Sequence, residues 1–341
     1  MKKPLLVWAL ASLAALAWTG ALSGGRALTA GAHPGSSGSA SRALVDDAEP
    51  RGGPRFAVGE FVVRLTDRSR RVRYPGRGVS ARVLQTVIRY PATGDPSHVD
   101  NRGAAPALGS GPFPLIVFAH GFAVTPDIYA RLLRTWARAG YVVAAPVFPL
   151  TNANAPGGPD ESDIVNQPRD MSFVITHLLA TSAARHGVLS GLLDPRRVAV
   201  TGQSDGGSAA LAAAYDTHFR DRRIGAAMIL SGARIPGVGG YDFPAPSPPL
   251  LATQGTGDVV NVPASTYHYF RIARPPKLLL SLLGAPHLGP YTNELPQLHI
   301  VERVTVAFLD HYFKHRPGAR ARMWTDGNVP HVSILSRQAP P

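Results

Sequence analysis

Ser204 stands in the run Gly202-Gln203-Ser204-Asp205-Gly206, directly after the apolar stretch Val198-Ala199-Val200 and directly before Ser208-Ala209-Ala210-Leu211-Ala212. A serine between two glycines at a strand-to-helix turn can be pushed outward from a sharply folded backbone, because Gly202 and Gly206 add no bulk on either side. A serine hydroxyl is a weak nucleophile at neutral pH. Such a turn therefore requires a histidine base and a carboxylate to orient it, arriving after later strands in the order Ser, Asp, His. Both occur in that order. Asp258 lies in Thr253-Gln254-Gly255-Thr256-Gly257-Asp258-Val259-Val260, right after an apolar run at 250–253, and Asp242 is the second candidate acid, one strand earlier. His287 lies in Gly284-Ala285-Pro286-His287-Leu288-Gly289, just beyond the run 277–283, where Gly and Pro stop helix or strand. His177, His218, His268, His299 and His311 lie on or beside helical patterns, where surface or capping roles are the default.

Acyl chemistry at Ser204 also needs two N–H donors for the charge that develops on a carbonyl oxygen. The backbone of Asp205 offers one, at the start of the following helix. The second is expected after the apolar run 115–118, where the chain reads Ala119-His120-Gly121-Phe122, and Phe122 is the candidate. His120 and Gly121 form the supporting loop, with His120 read as a brace and not as a base. A longer glycine run is missing here, so the donor pair is expected to be compact. The Asp205 side chain has two readings: it favours the first helical turn, or it repels anionic substrates.

These residues need a scaffold that brings the ends of several strands together. Apolar runs at 61–65, 83–88, 115–118, 141–146, 197–201, 224–231, 250–253 and 277–283 read as strands. Helical patterns at 126–139, 163–180, from the elbow to 215, at 263–271 and at 299–313 alternate with them. That alternation predicts an α/β architecture with a mostly parallel central sheet flanked by helices on both faces, with ligands outside the carboxyl ends of the strands. The segment 94–113 reads as an exposed insertion. Residues 232–248 are too short and too rich in Gly and Pro for a large lid domain.

The expected organisation is a signal peptide or N-terminal anchor over 1–32, a flexible linker over 33–56, a catalytic domain over 57–315 and a C-terminal tail over 316–341, in which Val332 to Leu335 reads as one added strand. Met1-Lys2-Lys3 followed by an apolar run has the form of a secretory signal, and residues 21–23 and 30–32 offer small residues for cleavage. The expectation is secretion to the cell envelope or medium, with an uncleaved membrane anchor as the alternative. The chain has no cysteine, which excludes disulfides, a thiolate nucleophile and a lipid-bearing cysteine. Its formal net charge of +13 suits weak association with an anionic cell surface, and the arginines are too dispersed to mark a nucleic-acid module. Spacings for metal or nucleotide sites are absent from the sequence, so no metal or cofactor is expected.

Taken together, His120-Gly121-Phe122, Gly202-Gln203-Ser204-Asp205-Gly206-Gly207, Gly255-Thr256-Gly257-Asp258 and Gly284-Ala285-Pro286-His287 resemble the α/β-hydrolase superfamily over about residues 59–315. The compact layout is similar to dienelactone-hydrolase-like proteins, platelet-activating-factor acetylhydrolase relatives and polyester-hydrolysing cutinases. Dienelactone hydrolases proper use a cysteine nucleophile, from which Ser204 departs. The resemblance implies a monomeric serine hydrolase acting on small-molecule or polymeric carboxylic esters. The alternatives are a serine peptidase or amidase of the same fold, or a binding protein on the same scaffold.

Overall fold

A computed structural model describes residues 55–235, 237–239 and 241–340. The signal or anchor expected over 1–32, and all but the last two residues of the expected linker, lie outside the described residues. The strands are β1 (Ala57–Tyr74), β2 (Gly78–Ala92), β3 (Asp100–Arg102), β4 (Phe113–Ala119), β5 (Val142–Val147), β6 (Leu193–Gln203), β7 (Ile224–Leu230), β8 (Leu250–Gly255), β9 (Lys277–Leu282) and β10 (Ser333–Ser336). The α-helices are α1 (Ala130–Arg138), α2 (Gln167–Ala183), α3 (Asp205–Tyr215), α4 (Pro263–Ile272), α5 (Gly289–Thr292), α6 (Gln297–Tyr312) and α7 (Ala319–Gly327).

All ten strands form one sheet in the order β10-β9-β8-β7-β6-β4-β5-β2-β1-β3. Its centre, from β5 through β4, β6, β7 and β8 to β9, is parallel, as crossover helices demand. The flanks are antiparallel where β2 meets β5 and β1 and where β10 meets β9.

Both faces of the sheet are covered, and β4 shows why. All seven of its residues are buried, and they alternate between two cores. Leu115, Val117 and Ala119 join Val174, Ile175 and Leu178 of α2 and the alanines of α3 on one side. Ile116 and Phe118 join Leu132, Leu133 and Trp136 of α1 and Val301, Val304 and Phe308 of α6 on the other. A strand buried on both faces reads as a continuous apolar run and not as an alternation. Helix α3 is buried along its whole length, which only small side chains permit, hence Ala209, Ala210 and Ala212–Ala214.

Three segments differ from expectation. Residues 94–113 are not a free insertion: Asp100–Arg102 pair with β1, and Asp100 is held by Arg89 at 2.9 Å and Arg134 at 2.6 Å. Residues after 315 fold onto the sheet, with β10 on β9 and Met323 and Leu335 buried. The strand expected at Val332 to Leu335 is present as β10, while the high Arg and Gly content of 316–327 hides α7, which buries few apolar side chains. Phe56, assigned to the linker, is already docked: its amide donates to the Arg138 carbonyl at 3.0 Å and its ring meets Phe113 edge-on at 5.3 Å.

The sheet also levels the strand ends that matter. Ala119 of β4 pairs with Gly202 of β6, Gln203 with Leu230 of β7, and Gly255 of β8 with Leu282 of β9. The loops leaving β4, β6, β8 and β9 therefore open at one edge.

Candidate active site

Strand β6 ends at Gln203 and α3 begins at Asp205, so Ser204 makes the whole turn. Its φ of 57° and ψ of −123° lie where a side chain is strained, the kind of backbone that persists only when its surroundings over-determine it. The two glycines provide that. A Cβ on Gly202 would lie 2.2 Å from the Gly206 carbonyl oxygen, and one on Gly206 would lie 2.1 Å from that of Ala119. The elbow is thus wedged between β4 and its own helix, while the Ser204 amide donates to the Leu230 carbonyl at 3.0 Å.

Asp258 and His287 reach Ser204 from the loops after β8 and β9. His287 Nδ1 lies 2.7 Å from Asp258 Oδ2, and His287 Nε2 lies 2.9 Å from Ser204 Oγ. A carboxylate only accepts, so Nδ1 carries the proton and Nε2 accepts from the serine hydroxyl. Asp258 is buried, and burial opposes its charge. The His287 hydrogen bond, with the Val260 and Asn261 amides donating to Oδ1 at 2.9 Å each, outweighs that and holds the carboxyl below its ordinary range. Gln254 Nε2 donates to Asp258 Oδ2 at 3.2 Å and is itself fixed by Thr266 Oγ1, which donates to Gln254 Oε1 at 2.6 Å. Asp242, the second candidate acid, is exposed and accepts from the Thr217 amide at 3.2 Å.

The loop after β4 lies against the elbow: a Cβ on Gly121 would be 3.3 Å from Ser204 Cβ. His120 is fully buried, its Nδ1 donating to the Gly121 carbonyl at 2.7 Å and its Nε2 accepting from the Phe148 amide at 3.1 Å. Both ring nitrogens are thereby engaged with backbone, and burial pushes the imidazole down to about 4, so it stays neutral at physiological pH. The next amides are also fixed, since Ala123 N donates to the Thr151 carbonyl at 2.8 Å. The candidate oxyanion donors are Phe122, one residue beyond Gly121 on the loop after β4, and Asp205, at the first position of α3.

The Asp205 side chain is the oddity of the site. It is buried, its Oδ2 has no hydrogen-bond partner, and burial, followed by the negative charge of Glu161, pushes its carboxyl up to about 7. Two further residues are not evident from sequence. Gln203 touches His287 directly, and Tyr129 donates to Gln203 Oε1 at 2.8 Å. Gln203 occupies a variable position of the elbow, and Tyr129 lies 74 residues away, so no local pattern joins them.

Comparison with solved structures decides the fold. The ferulic acid esterase from Streptomyces cinnamoneus superposes with a TM-score of 0.58 at 22% identity, covering 79% of this chain and 93% of that one. The fold is that of the α/β-hydrolases. In this fold the loops that carry Ser204, Asp258 and His287 follow β6, β8 and β9, the positions at which the fold places a serine, an acid and a histidine. A family model described as chlorophyllase matches residues 104–233, less than half of the chain, a span that holds Gly121 and Ser204 but neither Asp258 nor His287. No curated protein matches the chain. In all, 1024 solved chains match this one, and a shared architecture alone does not choose a substrate.

Proposed function

We propose that the protein is a secreted serine hydrolase that cleaves carboxylic esters through an acyl-enzyme on Ser204. The observation that carries this reading is the chain of two hydrogen bonds, 2.7 Å from Asp258 to His287 and 2.9 Å from His287 to Ser204. In the first half-reaction, His287 Nε2 takes the hydroxyl proton as Ser204 Oγ bonds to the ester carbonyl carbon. The Phe122 and Asp205 amides receive the oxyanion. The C–O bond to the alcohol then breaks, and His287 returns the proton to the leaving oxygen. Water, giving a proton to His287, then bonds to the acyl carbon, the bond to Ser204 Oγ breaks, and His287 returns the proton to Oγ as the acid leaves. Asp258 stays ionised throughout, holding the imidazole in one tautomer and balancing the imidazolium charge.

Bulky esters suit this site best. The rim beside the triad is open and apolar, with Phe122 37%, Val259 87% and Val260 64% exposed, and the solved α/β-hydrolase named above is a ferulic acid esterase. The basic surface and the apolar N-terminal run favour work outside the cell on substrates near anionic envelopes. The test is a panel of p-nitrophenyl esters, a ferulate ester and a polyester film, with wild type and S204A side by side. The expected result is hydrolysis by wild type and none by S204A. Equal rates in the two proteins would contradict the reading.

A further inference from the structure

The side chain before the nucleophile reaches two parts of His287. Gln203 is 1% exposed. Its Nε2 donates to the His287 carbonyl oxygen at 3.0 Å and stands 3.2 Å from His287 Nε2. Its Oε1 accepts from the Tyr129 hydroxyl at 2.8 Å. A backbone carbonyl only accepts, so the amide's NH₂ must face His287 and its oxygen must face Tyr129. Tyr129 is itself fully buried. The loop after β4 closes on the same pair, because a Cβ on Gly121 would lie 2.8 Å from Gln203 Oε1 and 3.3 Å from Tyr129 Oη. Gln203 therefore has no freedom to turn its donor away from the imidazole.

We propose that Gln203, oriented by Tyr129, is a positioning residue for His287: it ties the base loop to the end of β6 and sets an N–H beside His287 Nε2, the atom that is to accept the Ser204 proton. This rests on the reading of Ser204 and His287 given above. When Nε2 is unprotonated, the Gln203 N–H faces a lone pair. When Nε2 gains a proton, two N–H groups face each other at the same separation, which opposes the charged form and favours passing the proton to the leaving alcohol. A glutamine that merely filled space would anchor the loop and leave this proton balance unchanged.

The two roles separate in the pH profile of kcat/KM for p-nitrophenyl butyrate, measured for wild type, Q203M, Q203E, Y129F and S204A. Methionine is close in size and offers no donor, while glutamate sets a carboxylate beside the imidazole. The acid limb should move to higher pH, by about half a unit in Q203M and about one unit or more in Q203E. Y129F should move it in the same direction by less, with the plateau falling about tenfold in Q203M. A limb midpoint unmoved in Q203M and Y129F, whatever happens to the plateau or to thermal stability, overturns the proposal. Should Q203E not fold, those two variants carry the test, with the folded fraction of each measured over the same pH range so that pH-dependent unfolding is divided out of the midpoint. S204A keeps the two failures apart: activity surviving in S204A contradicts the ester-hydrolase reading itself, whereas an inactive S204A with unmoved limbs contradicts only the role of Gln203.

Discussion

Gly206 and Ala119 approach so closely that a single methyl group cannot be placed between them: a Cβ on Gly206 would lie 2.1 Å from the Ala119 carbonyl oxygen. The contact joins the first turn of α3 to the end of β4, and so ties the elbow to the loop that carries Gly121 and Phe122. The obstacle is backbone on both sides, which cannot swing away as a flexible side chain can. G206A should therefore cost about 1–3 kcal/mol or more through overpacking. It should also reduce kcat in whatever protein folds, because Ser204 and the Phe122 amide would be displaced relative to each other. Melting temperature and turnover measured on the same preparation check this. A G206A variant with wild-type values for both would contradict the close approach.

Asp258 lies 2.7 Å from His287 Nδ1, whereas Asp242 accepts from the Thr217 amide, so the proposed role of orienting the base falls to Asp258. D258N should lower kcat by orders of magnitude, about 10⁴-fold at the upper end, with KM little changed. D242N should be close to wild type. The steady-state constants of the two variants settle which acid serves the base, and the opposite pattern would transfer the role to Asp242.

The buried carboxyl of Asp205 gives stability a pH dependence. Burial, with the nearby Glu161 charge, raises it to about 7 in the folded chain, against an ordinary value near 4 in the unfolded one. Between those values the folded state holds a proton that the unfolded state has released, so this group makes stability fall as pH rises from about 4 to about 7, and then level off. Over that window the loss is on the order of 4 kcal/mol. D205N cannot ionise and lacks this slope. Denaturation midpoints for wild type and D205N should diverge in favour of the variant as pH is raised from 4.5 to 8.5. A constant difference would contradict the assignment.

Arg82 holds the 161–166 turn and α2 against β2. It is almost fully buried and donates to both oxygens of Asp163, at 2.8 and 2.6 Å, and of Asp170, at 2.7 and 2.6 Å. Removing one partner of such a network strands buried charge. R82M should destabilise by about 3–5 kcal/mol, because Asp163 loses its buried cation and Asp170 keeps only Arg70, 2.8 Å away. Replacing Arg82, Asp163 and Asp170 together by apolar residues should restore much of the loss. Urea unfolding of both variants checks this, and a single variant as stable as wild type would show that the network contributes little.

Much of this architecture was legible in the chain. Strands buried on both faces announce themselves as runs such as Leu115-Ile116-Val117-Phe118, and helices packed on them keep an apolar stripe. Ser204, Asp258 and His287 could be singled out because each sits in a Gly- or Pro-marked loop just beyond such a run, where the fold has little freedom. Other parts were hidden for equally physical reasons. The pairing of Asp100–Arg102 with β1 involves three polar residues whose signal is a charge contact with Arg89 and Arg134, not a pattern. Helix α7 is short and rich in arginine, so its few buried side chains do not stand out, whereas Val332 to Leu335 could be read as the strand that β10 forms. Gln203 and Tyr129 meet only after β4, β6 and α1 are assembled. A contact across that distance leaves no mark on local composition.

The central claim is that Ser204 carries the acyl group. Intact-mass and peptide mass spectrometry after treatment with a fluorophosphonate, which forms a stable bond only to an activated serine, tests it most directly. One adduct per chain is expected, located on Ser204, absent in S204A and strongly slowed in D258N, with esterase activity lost in step with labelling. Labelling at another residue, or full ester hydrolysis by a chain whose Ser204 is blocked, would contradict it.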